Sequence, residues 1–205
     1  ITVQRAFYAI YVRSLLSAPG RNVRITDNEI GSVDTSHFIT FRGVDVQNVR
    51  NAEISRNTIY NILVNTAAIA GIEIGGTPTD SARISSNRIY NIRNFNPSGS
   101  GAYGISVLAG SNAIIDNNAI YGIAGMNGTA TSTLSAMGIR LAGGTNHGLY
   151  YNSVYVYGDY TNTNNTEATA AAFGITSTAV TAEVMNNAFA ANFTTNAAGP
   201  NHFVA

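Results

Sequence analysis

Short apolar runs in this 205-residue chain keep returning in two forms. The first alternates strictly, as in Gly71-Ile72-Glu73-Ile74, Gly104-Ile105-Ser106-Val107 and Gly138-Ile139-Arg140-Leu141. Its looser copies are Ala9-Ile10-Tyr11-Val12, Phe38-Ile39-Thr40-Phe41 and Gly174-Ile175-Thr176-Ser177. The second is longer and is clearest in Arg83-Ile84-Ser85-Ser86-Asn87-Arg88-Ile89-Tyr90-Asn91-Ile92. Its copies anchor on Asn28, Asn57, Asn87, Asn118, Asn152 and Asn187, spaced 29 to 35 residues apart. Alternation predicts short strands with one face buried, and a fixed period predicts a repeat architecture.

Each period therefore holds a Gly-Ile-x-Ile strand, a turn, a short Ile-centred strand, an Asn corner and an Ile-Tyr-Asn-Ile strand. A unit of this size cannot close a core alone, but coils stacked at about 4.8 Å bury their apolar faces continuously. The expected fold is all-β: a parallel β-helix of about six coils, three short strands per coil, forming one domain over residues 1–205; its right hand is what the family resemblance given below implies. Ile10, Ile39, Ile72, Ile105, Ile139 and Ile175 are expected in one internal column, and Ile25, Ile54, Ile84, Ile115, Leu149 and Val184 in another. The six anchoring Asn residues are expected to form a corner ladder, each amide bonding its neighbours above and below, in left-handed backbone.

Composition narrows the function classes. There is no Cys, which excludes disulfides and thiolate metal sites. The eleven basic residues, all Arg, balance eleven acids without clustering, so no nucleic-acid or anionic-membrane partner is expected. No apolar run is long enough to cross a bilayer as a helix. The chain opens at Ile1 without the blocks of a signal peptide, and neither end reads as a polar cap. A trimmed section of a longer protein, or a subunit meeting itself or neighbouring β-helix segments end to end, is the expectation.

The Ile-x-x-Asn-x-Ile-Tyr-Asn-Ile unit resembles the right-handed parallel β-helix repeat of pectate lyases, other polysaccharide-active enzymes and secreted bacterial surface proteins. The segments 152–158, 171–177 and 184–189 resemble a repeat of large secreted proteins of the Bacteroidetes and Chlorobi group. The resemblance implies an extracellular or cell-surface location. It also implies that the Gly-Ile strands come first in each coil and that the variable third corner carries the loops, at 63–70, 93–103, 124–136 and 158–172.

Enzymes of that kind place acids and Arg on the first strand. The outward row expected here is Tyr11, Thr40, Glu73, Ser106, Arg140 and Thr176, with Arg13 and Arg42 two positions on. It holds one acid, whereas glycoside hydrolysis needs two, and Asp45 and Asp80 are read as isolated near corners. Glu73, Arg42 and Arg140 are the catalytic candidates, against a structural reading of Glu73 as an exposed pair with Arg42. His37, His147 and His202 fall in different coils and read as surface loop residues, so no metal site or cofactor is expected. Tyr60, Tyr90, Tyr121 and Tyr155, each three residues after an anchoring Asn, predict an outward aromatic row. With Phe95 they are candidates for binding polysaccharide, against a purely structural stack. The sequence thus favours a non-catalytic extracellular scaffold, adhesin or surface-fibre component. The alternative is a lyase or glycoside hydrolase acting on acidic polysaccharide.

Overall fold

A computed structural model describes residues 2–3, 5–65, 67–77, 79–96, 100–125, 136–160, 168–195 and 201–204. They form a parallel β-solenoid of three main sheets, with Gly20–Arg21 and Val49–Arg50 as a further two-stranded one, and each interior strand of the main sheets pairs with its counterparts one coil before and one coil after. Sheet 1 holds Tyr8–Arg13, Arg42–Gln47, Ile69–Gly75, Ala102–Val107, Ala136–Leu141, Ala168–Ile175 and Asn201–Val204. Sheet 2 holds the shorter Arg24–Thr26, Glu53–Ser55, Arg83–Ser85, Ile114–Asp116, His147–Tyr150 and Ala182–Met185. Sheet 3 holds Thr2–Val3, Glu29–Ile30, Thr58–Val64, Arg88–Asn94, Ala119–Gly125, Ser153–Tyr160 and Ala188–Thr195.

The core is a set of axial columns. Ile25, Ile54, Ile84, Ile115 and Leu149 of sheet 2 meet Ile59, Ile89 and Ile120 of sheet 3 and Ile72, Ile105 and Ile139 of sheet 1. Gly43, Gly71, Gly104 and Gly138 leave room for this packing. A Cβ on Gly71 would lie 2.6 Å from Ile89 Cγ2, and one on Gly104 2.5 Å from Ile120 Cγ2. Pairing skips these glycines, so that Ala70 faces Tyr103 and Ile72 faces Ile105.

The Asn ladder runs through all six copies. Asn57 Nδ2 donates to Asn87 Oδ1 at 3.0 Å and to the Ile25 carbonyl at 2.8 Å, while its peptide N–H donates to the same Oδ1 at 3.0 Å. Asn87, Asn118 and Asn152 repeat the arrangement, as does Asn28 in its bonds to Asn57. Each amide thus spends both hydrogens inside the coil stack, which is how a nearly fully buried polar column avoids a desolvation penalty.

Three expectations are corrected. The left-handed residue is the one before each ladder Asn: Asp27, Arg56, Ser86, Asn117, Tyr151 and Asn186 all have φ between 55° and 59°. In the second coil the first strand is Arg42–Gln47 instead of the Phe38–Gly43 run, so Val44 joins the column of Ile10 and Ile72, and Asp45 takes the outward place expected of Thr40. Ile39 is buried one step away and bridges to Ile62. In the sixth coil Phe173 occupies the column of Ile139, Gly174 pairs with Arg140 and Ile175 pairs with Leu141, which displaces Thr176 from the outward row. Most of the longer third-corner loops, 97–99, 126–135 and 161–167, lies outside the described residues.

Candidate functional site

Two outward rows cross sheet 1. One runs Tyr8, Arg42, Ala70, Tyr103, Met137 and Ala171; the other runs Tyr11, Asp45, Glu73, Ser106, Arg140 and Gly174. The register places Asp45 directly opposite Glu73 on the neighbouring strand. Parallel strands lie about 4.8 Å apart, so two carboxylates project side by side. The reading of Asp45 as an isolated corner acid is therefore overturned, as is that of Glu73 as the row's sole acid, flanked by Thr40.

Both acids are buried although they face away from the core, Asp45 at 1% and Glu73 at 5% exposure. Glu73 Oε2 accepts from Arg42 Nη2 at 3.0 Å, and Arg42 is itself 6% exposed. The exposed, weak pair expected of these two residues is in fact a buried one. Arg42 also donates through Nη1 to the Ala68 carbonyl and lies 3.9 Å over the Phe41 ring. Among the described residues, Asp45 receives only the side-chain amide of Gln47, at 3.2 and 3.3 Å. Burial first, and then the neighbouring Glu73 carboxylate, push the Asp45 carboxyl up to about 6. Arg140 lies two strands beyond Glu73, 4.8 Å over the Tyr103 ring, and its Nε donates to Thr176 Oγ1 at 3.2 Å. Ser106 Oγ, between Glu73 and Arg140, is buried without a hydrogen-bond partner among the described residues.

The other acids do not join this pair. Asp80 accepts from Asn112 at a different corner, and Asp116 on sheet 2 pairs with Arg83 at 2.9 Å. No group of three His, Asp or Glu suited to a metal ion occurs among the described residues. His147 is buried at the start of a sheet 2 strand, which corrects its reading as a surface residue. Its Nδ1 accepts from the Ala113 peptide N–H at 3.3 Å and its Nε2 contacts the Gly143 carbonyl at 3.0 Å. Burial lowers its pKa below the ordinary histidine value. His37 pairs with Asp34 at 3.1 Å, and the side chain of His202 lies outside the described residues.

On sheet 3 the Tyr rings stack outward. Tyr60 and Tyr90 are 5.1 Å apart at 6°, and Tyr90 and Tyr121 are 5.0 Å apart at 2°. Gly31 lies against the far face of Tyr60, so close that a Cβ there would fall 2.9 Å from the ring. Tyr155 pairs in register with Tyr121 but leans instead toward Tyr157, at 4.9 Å and 38°. Phe95, just after the strand Arg88–Asn94, is about half exposed.

The strands explain the break. In the earlier coils Asn61, Asn91 and Gly122 take φ of 53°, 55° and 65°, and pairing skips them. Asn91 donates to Asn61, and Asn61 to the Ser32 carbonyl at 2.6 Å, so this position makes a second, shorter amide ladder. Ser153–Tyr160 has no such residue and pairs without interruption with Ala188–Thr195. Tyr157 then reaches back over Gly122, where a Cβ would meet its Oη at 3.1 Å.

No protein-family model matches this sequence, and neither a curated protein nor a solved structure matches it. The fold alone defines the class: a parallel β-solenoid with an internal Asn ladder. No helix among the described residues is long and apolar enough to cross a membrane.

Proposed function

We propose that this protein is a non-catalytic extracellular scaffold, a rigid β-solenoid segment of a bacterial surface protein that presents side-chain rows and third-corner loops to a ligand. The observation carrying this reading is the state of the two acids that do meet. Asp45 and Glu73 are nearly inaccessible, and Glu73 is engaged by an equally buried Arg42. A scaffold also fits the axial order of the molecule, since main-chain pairing, the Asn ladder and the Tyr stack all run from coil to coil.

The partner at the rod ends is another β-helix coil, from a second copy or a neighbouring segment. Coil-on-coil main-chain pairing, which joins the strands of each sheet to their counterparts one coil away, supports this reading. Light scattering over a concentration series tests this, and Val184→Asp should abolish any self-association.

The second reading is a lyase or hydrolase for acidic polysaccharide, favoured by the side-by-side carboxyls, by a proton on Asp45 held to about pH 6, and by Arg42 and Arg140 nearby. Incubation with polygalacturonate and alginate decides between the two, read by absorbance of unsaturated products and by new reducing ends. The scaffold reading requires neither signal above buffer. Turnover that disappears in Glu73→Gln establishes the enzyme.

A further inference from the structure

We infer that the notch between Tyr121 and Tyr155 is a subsite for a single six-membered sugar ring of a glycan. This inference deepens the scaffold reading by naming what the scaffold holds. Three stacked Tyr rings have six faces; Gly31 and the rings themselves cover five, and the face of Tyr121 toward the next coil is left open. The loss of the left-handed residue in Ser153–Tyr160 carries the Tyr155 ring toward Tyr157 and so opens the space.

The resulting cavity is about 350 Å³. Its walls are Tyr121 and Tyr155, and its lining includes the small residues Ala119, Ser153, Ala188 and Ala190. Such a space suits a flat body with apolar faces and a polar edge, which describes a pyranose: its C–H face lies on an aromatic ring while its hydroxyls reach the rim. Polar groups hold the hydroxyls of the two wall rings. Arg88 donates to Tyr121 Oη at 2.8 Å, with the rest of its exposed guanidinium making no other hydrogen bond among the described residues, and Asn192 donates to Tyr155 Oη at 3.4 Å. Among the described residues the one charged side chain bonded to either wall is the cation Arg88, so a sugar carboxylate is tolerated as well as a hydroxyl. A peptide strand is disfavoured, because Ala119–Gly125 and Ser153–Tyr160 are interior strands already paired on both sides.

The test is a glycan array spanning neutral, amino and uronic pyranoses, probed with the wild-type chain, Ala188→Leu, Tyr121→Leu, Arg88→Gln and Tyr11→Ser. Ala188 is exposed, so its enlargement fills the notch without touching the core. Wild type and Tyr11→Ser should bind the same pyranose class. Ala188→Leu should lose at least tenfold in affinity with an unchanged circular dichroism spectrum and melting temperature, whether or not Tyr121→Leu folds. A weakening by Arg88→Gln marks a uronic ligand, and its absence a neutral or amino sugar; both agree with the site. Failure of the wild type to bind any pyranose, or undiminished binding by Ala188→Leu, overturns it. Cleavage of a bound glycan would instead overturn the non-catalytic reading and leave the subsite standing.

Discussion

Asp45 and Glu73 face each other across adjacent strands of sheet 1, yet of the two Arg42 forms an ion pair with Glu73 and not with Asp45. Asp45 is left beside a carboxylate in a site nearly closed to water, with one amide as its hydrogen-bond donor among the described residues. Its proton is therefore retained to about pH 6.

The stability consequence has a definite sign. Because the folded-state pKa lies above the ordinary Asp value, the folded protein binds more protons than the unfolded chain between about pH 4 and 6, and stability falls as pH rises through that window. Asp45→Asn removes the penalty. It should raise stability by on the order of 1–3 kcal/mol at pH 7.5 and change it little at pH 4. Urea midpoints of the two proteins at both pH values check this.

Removing Arg42 has the opposite effect. Arg42→Met leaves the Glu73 carboxylate buried without its cation, which costs about 3–5 kcal/mol. The double variant Arg42→Met/Glu73→Met should recover most of that loss, because two apolar side chains replace the pair. Thermal melts of the two single variants and the double variant measure the coupling.

His147 acts against Asp45. Its depressed pKa means that the unfolded chain takes up a proton near the ordinary value of about 6.5 while the folded protein does not, so stability is lost as pH falls below that point. His147→Gln should flatten this acid slope, measured as denaturation midpoint against pH, even if it lowers stability at pH 8.

The ladder should behave as a column with weak ends. Asn87→Ala strips the acceptor from the Asn57 peptide and side-chain amides and the donor from the Ile54 carbonyl, all buried. A loss of about 3 kcal/mol or more is expected at 1–3 kcal/mol per stranded group. Asn187→Ala, at a half-buried end, should cost less. Guanidinium denaturation of both variants tests the gradient.

The period, the three-strand coil and the Asn ladder were legible because Ile and Asn recur with little disguise from Asn57 to Asn118. The register slips where the disguise is thicker. Gly43-Val44-Asp45-Val46 is the true counterpart of Gly71-Ile72-Glu73-Ile74, but Val replaces Ile at both core places while Phe38-Ile39 stands nearby as a decoy. Aligning Gly43 with Gly71 would have exposed the acid pair, since only Gly fits against the sheet 3 isoleucines. Phe173 hid the sixth strand in the same way, by filling an Ile column with a ring. The open face of Tyr121 was not legible at all. It follows from a missing left-handed residue one coil later, at a position where the sequence shows only an ordinary alternating strand.

The register of sheet 1 carries the site, and the absence of native cysteine makes it directly measurable. In Asp45→Cys/Glu73→Cys the two thiols should be bridged by dibromobimane, a short thiol crosslinker that fluoresces on double reaction, whereas Thr40→Cys/Glu73→Cys should remain unbridged. Bridging through position 40 with none through position 45 would contradict the register, and with it the buried acid pair.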